Sequence, residues 1–340
     1  MSRKKSRKKS SRSSGRILAR RLSWCVTALV VAFCVFGHWF VRHPKKWVDA
    51  KSSSLPGFLS SALISTGSFF ADITDNLDLT GYDAVYEYDI PAPEGKVFFA
   101  GAPVRISSPA PDDIRILNRG EFAIGWSNKL RHPVWCAYHV TPDQIYNIDS
   151  RPSFKKDNEI AASPNATDYK GTRYDRGHMA PNHAIVSRYG ESAQKKTFLM
   201  TNIAPQTPNL NQGVWRELEH RIADFWTKAY GEIWVIVGCT SPHEGTTYLA
   251  DSDIEIPQYF YQVIVAQTDY DVRALAVIFP QNVNRLAYAS RYIITIDELE
   301  EITGLDFLPE LPGFISSPLE SQLPSRLWPV KFLDALKLIF

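Results

Sequence analysis

The sequence predicts an α+β fold built on a largely antiparallel sheet, and three observations carry that reading. Val97–Ala100, Phe122–Trp126, Val134–Val140, Ile233–Gly238, Tyr259–Ala266 and Val272–Phe279 are runs rich in aromatic and β-branched residues, bounded by turn-forming residues. Gln212–Tyr230 places Val214, Leu218, Ile222 and Phe225 at spacings of 4, 4 and 3, the signature of one apolar helical face. Ile296–Thr303 is a shorter helical segment stopped by Gly304. Hydrophobic residues make up 44% and aromatics 12% of 340 residues, enough for a sizeable core.

Taken in order, the chain opens with residues 1–21, a basic segment whose ten Lys/Arg residues preclude a packed core. Residues 22–41 (Leu22–Val41) form an apolar run of 20 residues without Lys, Arg or an acid, about the length that spans a bilayer. The basic excess before it predicts a cytoplasmic N-terminus and an exported body, periplasmic or extracellular. The Phe36-Gly37-His38-Trp39-Phe40 end lacks a small-x-small cleavage pattern, so an uncleaved single-pass anchor is expected. The Arg/Ser-rich, acid-free start also fits a mitochondrial presequence, with the body in the intermembrane space. Residues 42–95 read as a connector broken by Ser52-Ser53-Ser54, Pro56 and Gly57.

The globular body is assigned to residues 96–315. Pro164-Asn165-Ala166-Thr167 is loop-like and contains a glycosylation-type Asn-x-Thr. Thr172–Tyr174 is expected to be a strand leading into a turn at Asp175-Arg176-Gly177-His178, with Phe198–Ile203 as its partner strand. Residues 316–340 are an apolar tail, too interrupted to span a membrane, for which docking on the body and lying at a bilayer surface are both open. Cys25 and Cys34 fall in the apolar run, and Cys136 and Cys239 in strand-like segments. A buried free thiol is the default for the latter two, although a disulfide between them is permitted. No Cys-x-x-Cys pair points to structural zinc.

The chemistry concentrates between Tyr174 and Glu219. Arg176 offers a planar fork for phosphate oxygens. His178 carries a side chain whose ordinary pKa, near ~6.5, lets it take a proton from water at neutral pH. His183 competes for that role, with capping or packing as its simpler use. The amide oxygen of Asn211 is a hard neutral donor suited to Mg²⁺, though Asn before a helix is commonly only a cap. Glu219 follows eight residues later. On an ideal helix that is a rise of about 12 Å, too far to share an inner metal shell.

Asp175-Arg176-Gly177-His178, Asn202-Ile203-Ala204-Pro205-Gln206, Leu210-Asn211-Gln212-Gly213, Trp215 and Leu218-Glu219 stand in one order and spacing. With Pro133-Val134-Trp135 upstream and Glu301-Ile302-Thr303-Gly304-Leu305 downstream, this set resembles the DNA/RNA non-specific endonucleases, the endonuclease G-like ββα-metal nucleases. The resemblance spans roughly residues 97–312. It implies a ββα-metal nuclease fold with a central, largely antiparallel sheet, here preceded by one transmembrane helix. It assigns His178 as general base, Asn211 as ligand of Mg²⁺ (with Mn²⁺ as the substitute), and Glu219 as orienting water in the outer shell. Arg176 would clamp phosphate, Asn202 would steady the site water or metal shell, and Asp175 would hold the turn. Trp215 is read as core. Lys170, Arg173, Lys195 and Lys196 are expected to touch backbone phosphates, which gives affinity without sequence information. Partners would be DNA and RNA, the membrane, and in one admissible assembly a second copy of the chain. The products implied carry 5′-phosphate ends.

Charge bears on this reading. Residues 1–48 hold 13 of the 38 Lys/Arg and no acid, which leaves 25 basic against 36 acidic residues in 49–340, net −11. An acidic body argues against a nucleic-acid partner. Residues 151–228, however, carry 12 Lys/Arg against 8 Asp/Glu, net +4, so positive charge gathers at the proposed site. The rival readings are a catalytically silent surface protein that binds nucleic acid, for example in DNA uptake, and a phosphodiesterase acting on lipids or nucleotides. A silent binder needs the basic residues but not His178, Asn211 and Glu219 together.

Overall fold

The computed structural model describes residues 97–240, 245–250, 252–267 and 272–329. The basic start, the apolar run at 22–41, the connector and the last residues of the tail lie outside them. Within the described residues no helix is long and apolar enough to cross a membrane.

Nine strands matter for the site: β1 (Arg115–Asn118), β2 (Phe122–Ser127), β3 (His132–Val140), β4 (Asp175–His178), β5 (Ile203–Gln206), β6 (Ile233–Cys239), β7 (Tyr259–Gln267), β8 (Val272–Pro280) and β9 (Ile293–Ile294). Seven of them form one sheet in the order β9-β8-β7-β6-β3-β2-β1. Every neighbouring pair in it is antiparallel, as expected. β4 and β5 stand apart as a two-stranded ribbon. The expected strand at Val97–Ala100 does not form. Val97, Phe98 and Phe99 instead pack on the core while the Ala100 carbonyl accepts from the Glu310 amide.

The chain leaves the sheet after Val140 and rejoins it at Ile233, and these two residues are Cα partners. Everything between is therefore an excursion whose two ends meet at one point of the sheet. It contains α1 (Asn182–Thr197), the β4–β5 ribbon and the helical stretch 208–230, here α2. Sequence periodicity does not reveal α1, because its buried face includes Ser187, Arg188 and Gln194 among the apolar residues. α2 kinks at Gly213, whose backbone is not helical (φ −103°, ψ −121°), and carries two wider π-helical stretches, Asn211–Trp215 and Arg221–Trp226. Val214, Leu218 and Ile222 are buried as predicted, while Trp226 rather than Phe225 completes the inner face.

The sheet is covered on both faces. On one, Trp135, Tyr261 and Val263 pack with Ile296 and Leu299 of α3 (Ile296–Thr303) and Ile315 and Leu319 of α4 (Gly313–Ser321). On the other, Trp215 of α2 meets Phe260 and Phe279 edge-on, at centroid distances of 5.9 and 6.4 Å. Trp215 is thus core. α3 starts at a reciprocal Thr295–Glu298 capping box, and it stops at left-handed Gly304 (φ 71°), the stop its sequence predicts. Cys136 and Cys239 are both free and buried.

The start of the tail docks on the body. Leu327 and Trp328 are buried, the Trp226 indole donates to the Trp328 carbonyl at 2.9 Å, and the Tyr230 hydroxyl donates to the Pro329 carbonyl at 2.7 Å. The Trp226 and Trp328 rings lie 5.1 Å apart. Removing a buried aromatic ring costs about 3–5 kcal/mol. Trp328→Ala is therefore expected to lower the urea midpoint of unfolding by a corresponding amount, and an unchanged midpoint would place the tail off the body.

Candidate active site

The Asp-Arg-Gly-His motif is a strand, not the turn anticipated, and residues 172–174 precede it. β4 pairs Asp175 with Gln206, Arg176 with Pro205, Gly177 with Ala204 and His178 with Ile203. The partner strand likewise starts at Ile203, because Met200–Asn202 form a single tight helical turn. Gly177 is required by contact. A Cβ there would stand 2.1 Å from Oε1 of Gln206.

His178 sits on the wall of an open cleft of about 780 Å³. Its ring packs against Phe154 and Phe198, with centroids at 5.3 and 4.9 Å. Nε2 is buried and has no hydrogen-bond partner among the described residues. A buried ring nitrogen without a partner at a cleft wall marks a place for water or substrate. Burial, reinforced by the positive charges of Arg151 and Arg176, holds the imidazole pKa down to about 3. The ring is thus neutral at physiological pH, the form that can accept a proton.

Asp175 orients the opposite wall. Its Oδ2 accepts from Asn211 Nδ2 at 2.9 Å and from Gln212 Nε2 at 2.8 Å. An ionised carboxylate only accepts, so the amide NH₂ of Asn211 must face it and the amide oxygen must face away. Asn211 lines the cleft together with Glu219. A hard, neutral oxygen donor in a cleft that also holds a carboxylate fits a divalent cation with few protein ligands. Burial pushes Glu219 up to about 8, against the pull of Arg216. A cation in the cleft would oppose that shift and favour the carboxylate.

Arg176 is exposed on the cleft wall, its guanidinium 4.5 Å from the Phe154 ring centroid. Arg151, which sequence reasoning did not single out, lines the same cleft, 5.5 Å over Phe198. Arg216 also lines it. Arg151 lies upstream of the motif stretch and was hinted at only by the basic segment 151–228, while Arg216 lies within Tyr174–Glu219 at a position given no role. Of the four expected phosphate contacts, Lys170 alone lines the cleft. Arg173 is exposed nearby and donates to the Tyr174 hydroxyl at 3.1 Å. Lys195 pairs with Glu191 one helical turn earlier, at 2.7 Å. Lys196 binds the Arg119 carbonyl and Glu121 at 2.6 and 2.7 Å, which makes it a tie between α1 and the β1–β2 turn.

Asn202 does not reach the cleft. It is fully buried, accepts from the Ala180 amide at 2.9 Å, and donates to the Ala180 and Thr197 carbonyls at 3.0 Å each. Its amide clamps the backbone just past His178 to the far end of α1, a scaffolding role in place of the water-steadying one. His183 bonds Asp224 at 2.8 Å. The loop at 164–167 borders the cleft through Ala166 and Thr167, in a short 3₁₀ turn formed by Ala166–Tyr169.

A family model of DNA/RNA non-specific endonucleases matches residues 101–314. Human mitochondrial endonuclease G is 25% identical over 215 residues, covering 58% of this chain and 70% of that protein. Nuclease C1 of Cunninghamella echinulata var. echinulata is 28% identical over 212 residues, covering 57% and 83%. The crystal structure of the EndoG/EndoGI complex superposes with a TM-score of 0.52 at 25% identity, covering 58% of this chain and 86% of that one.

The neutral state of His178 can be checked directly. Its C2 proton resonance, recorded in EDTA, is expected to show no titration between pH 8 and 5, because the folded pKa lies near 3. A midpoint above 6 would mean that the ring is solvated.

Proposed function

The chain belongs to the DNA/RNA non-specific endonuclease family, and on that premise we propose that it hydrolyses phosphodiester bonds of DNA and RNA without sequence specificity, using His178 as base and Mg²⁺ or Mn²⁺ at Asn211. The observation that carries this reading is the convergence of His178, Arg176, Asn211 and Glu219 on one cleft. Relatives named as nucleases support the hydrolase class, and the family's metal dependence supports a cation.

His178 takes the proton of a water at Nε2, the atom without a protein partner. Arg176 and Arg151, braced on Phe154 and Phe198, hold the phosphate oxygens and stabilise the charge that grows on them. The negative phosphate entering beside these guanidiniums also cancels the field that depresses His178, so the imidazole becomes more basic when substrate is bound. Asn211 would hold the cation, with Glu219 outside its inner shell, and the bound ion supplies charge neutralisation at the leaving oxygen. The reaction gives 5′-phosphate ends on the family resemblance. Lys170 and Arg173 contribute phosphate affinity along the strand. A silent nucleic-acid binder is disfavoured, because binding alone needs neither an unpartnered buried imidazole nor an amide oxygen turned away from its carboxylate partner.

We also propose the N-terminal run at 22–41 as a membrane anchor, on its length and flanking charge, with the N-terminus cytoplasmic and the nuclease body on the far side. Relatives named as mitochondrial support the alternative of a mitochondrial placement. A homodimer is proposed on family resemblance alone.

Three measurements test these readings. With plasmid, single-stranded DNA and RNA as substrates, His178→Ala should lower turnover by about 10²–10⁴-fold with binding preserved. Asn211→Ala should raise the Mg²⁺ needed for half-maximal rate, and EDTA should abolish cleavage. Wild-type-like turnover in His178→Ala would remove that residue from the chemistry, and an unchanged Mg²⁺ titration would move the ion elsewhere. For topology, protease added to intact cells should digest the body and leave a short protected N-terminal stub. A body protected until lysis would refute the orientation.

A further inference from the structure

Beside the catalytic wall, three side chains that the proposed mechanism does not use meet at the mouth of the cleft. His183 is the second residue of α1, and His220 and Asp224 lie one turn apart on α2. His183 Nε2 stands 2.8 Å from Asp224 Oδ1, and His220 Nδ1 stands 2.9 Å from Asp224 Oδ2. The imidazole centroids are 5.6 Å apart. The nitrogens and carboxylate oxygens that would bind all lie within 4.8 Å of one another. Gln144 Nε2 also donates to Asp224 Oδ1, at 2.9 Å, and so braces the carboxylate from a third element. His183 and His220 are about half exposed (49% and 43%), and both line the cleft.

We propose that His183, His220 and Asp224 form a second metal site, selective for a transition-metal ion such as Zn²⁺, Ni²⁺, Cu²⁺ or Co²⁺ and distinct from the Mg²⁺ position at Asn211. Two imidazoles and a carboxylate are donors that suit these ions, whereas Mg²⁺ prefers oxygen ligands and its own waters. A tetrahedral ion with bonds near ~2.0–2.1 Å needs its ligand atoms about 3.3 Å apart. The present spacing reaches that with small rotations of side chains that already face solvent. Each ring nitrogen now hydrogen-bonded to Asp224 would give up its proton to the other ring nitrogen or to water. Three protein ligands leave a position open toward the cleft, and the bound ion adds positive charge one residue from Glu219.

The alternative use of the same atoms is a hydrogen-bonded His–Asp–His brace between α1 and α2 that binds no metal. Titrating the full chain with Co²⁺ separates the two. A metal site should give visible d–d bands that saturate at one equivalent, persist in millimolar Mg²⁺ and persist in Asn211→Ala. His183→Gln and His220→Gln should each weaken Co²⁺ binding by at least about tenfold. Absence of the bands in the wild type, their survival in both His variants, or their loss in Asn211→Ala would each overturn the proposal. If the variants fail to fold by circular dichroism, the wild type itself decides. The electron paramagnetic resonance spectrum with one equivalent of Cu²⁺ should show coupling to imidazole nitrogen, and an oxygen-only spectrum would refute the site.

Discussion

The pairing of Val140 with Ile233 is the constraint on which the cleft depends. It brings both ends of the excursion 141–232 to one point on a buried antiparallel sheet, and so converts a long, mixed segment into a closed module. Inside the module, the β4–β5 ribbon carries His178 and α2 carries Asn211 and Glu219. Trp215, lying between those two on α2, is driven into Phe260 and Phe279. Burial of that ring contributes on the order of 1.5–3 kcal/mol and also fixes the rotation of the helix. Asn211, Arg216 and Glu219, on the same helix, line the cleft.

Hydrogen bonds refine what packing sets coarsely. Asp175 reaches from β4 to Asn211 and Gln212 on α2, coupling the strand that carries His178 to the helix that carries Asn211. Asn202 ties the backbone past His178 to the far end of α1. Neither residue needs to touch substrate, yet each positions a residue that would. Asp175→Asn would replace a pure acceptor with a side chain able to present NH₂ to Asn211, which removes the orientation rule.

Burial acts in opposite directions on the two titratable groups of the cleft. It lowers His178, with Arg151 and Arg176 adding to the effect, and it raises Glu219 against Arg216. In both cases the neutral form is favoured in the empty cleft. On the proposed function, an incoming phosphate would oppose the first shift and an incoming cation the second. The basic residues that matter for this are Arg151, Arg176 and Arg216 on the cleft wall. Lys195 and Lys196 are tied to Glu191 and Glu121 elsewhere.

The sequence by itself determined the parts whose physics is local or repeated in pattern. Alternating aromatic and β-branched runs marked the long strands of the sheet, and the spacing of Val214, Leu218 and Ile222 marked α2. Gly304 marked the end of α3. The Asp-Arg-Gly-His and Leu-Asn-Gln-Gly segments pointed to the chemistry because those residue types suit phosphate, proton and cation. Tertiary structure decided the rest. Whether Asp175–His178 turned or extended depended on pairing with Ile203–Gln206, a segment 25 or more residues away in sequence. The roles of Asn202, Lys195 and Lys196 depended on which acceptors and carboxylates lay within reach, and those come from elsewhere in the chain. α1 left no clear periodic trace, since Arg188 and Gln194 are buried on partners that only the folded module supplies. Hydrogen bonds and ion pairs act over a few ångströms between residues far apart in sequence, so the identity of a residue fixes what it can bond, while only the fold fixes what it does bond.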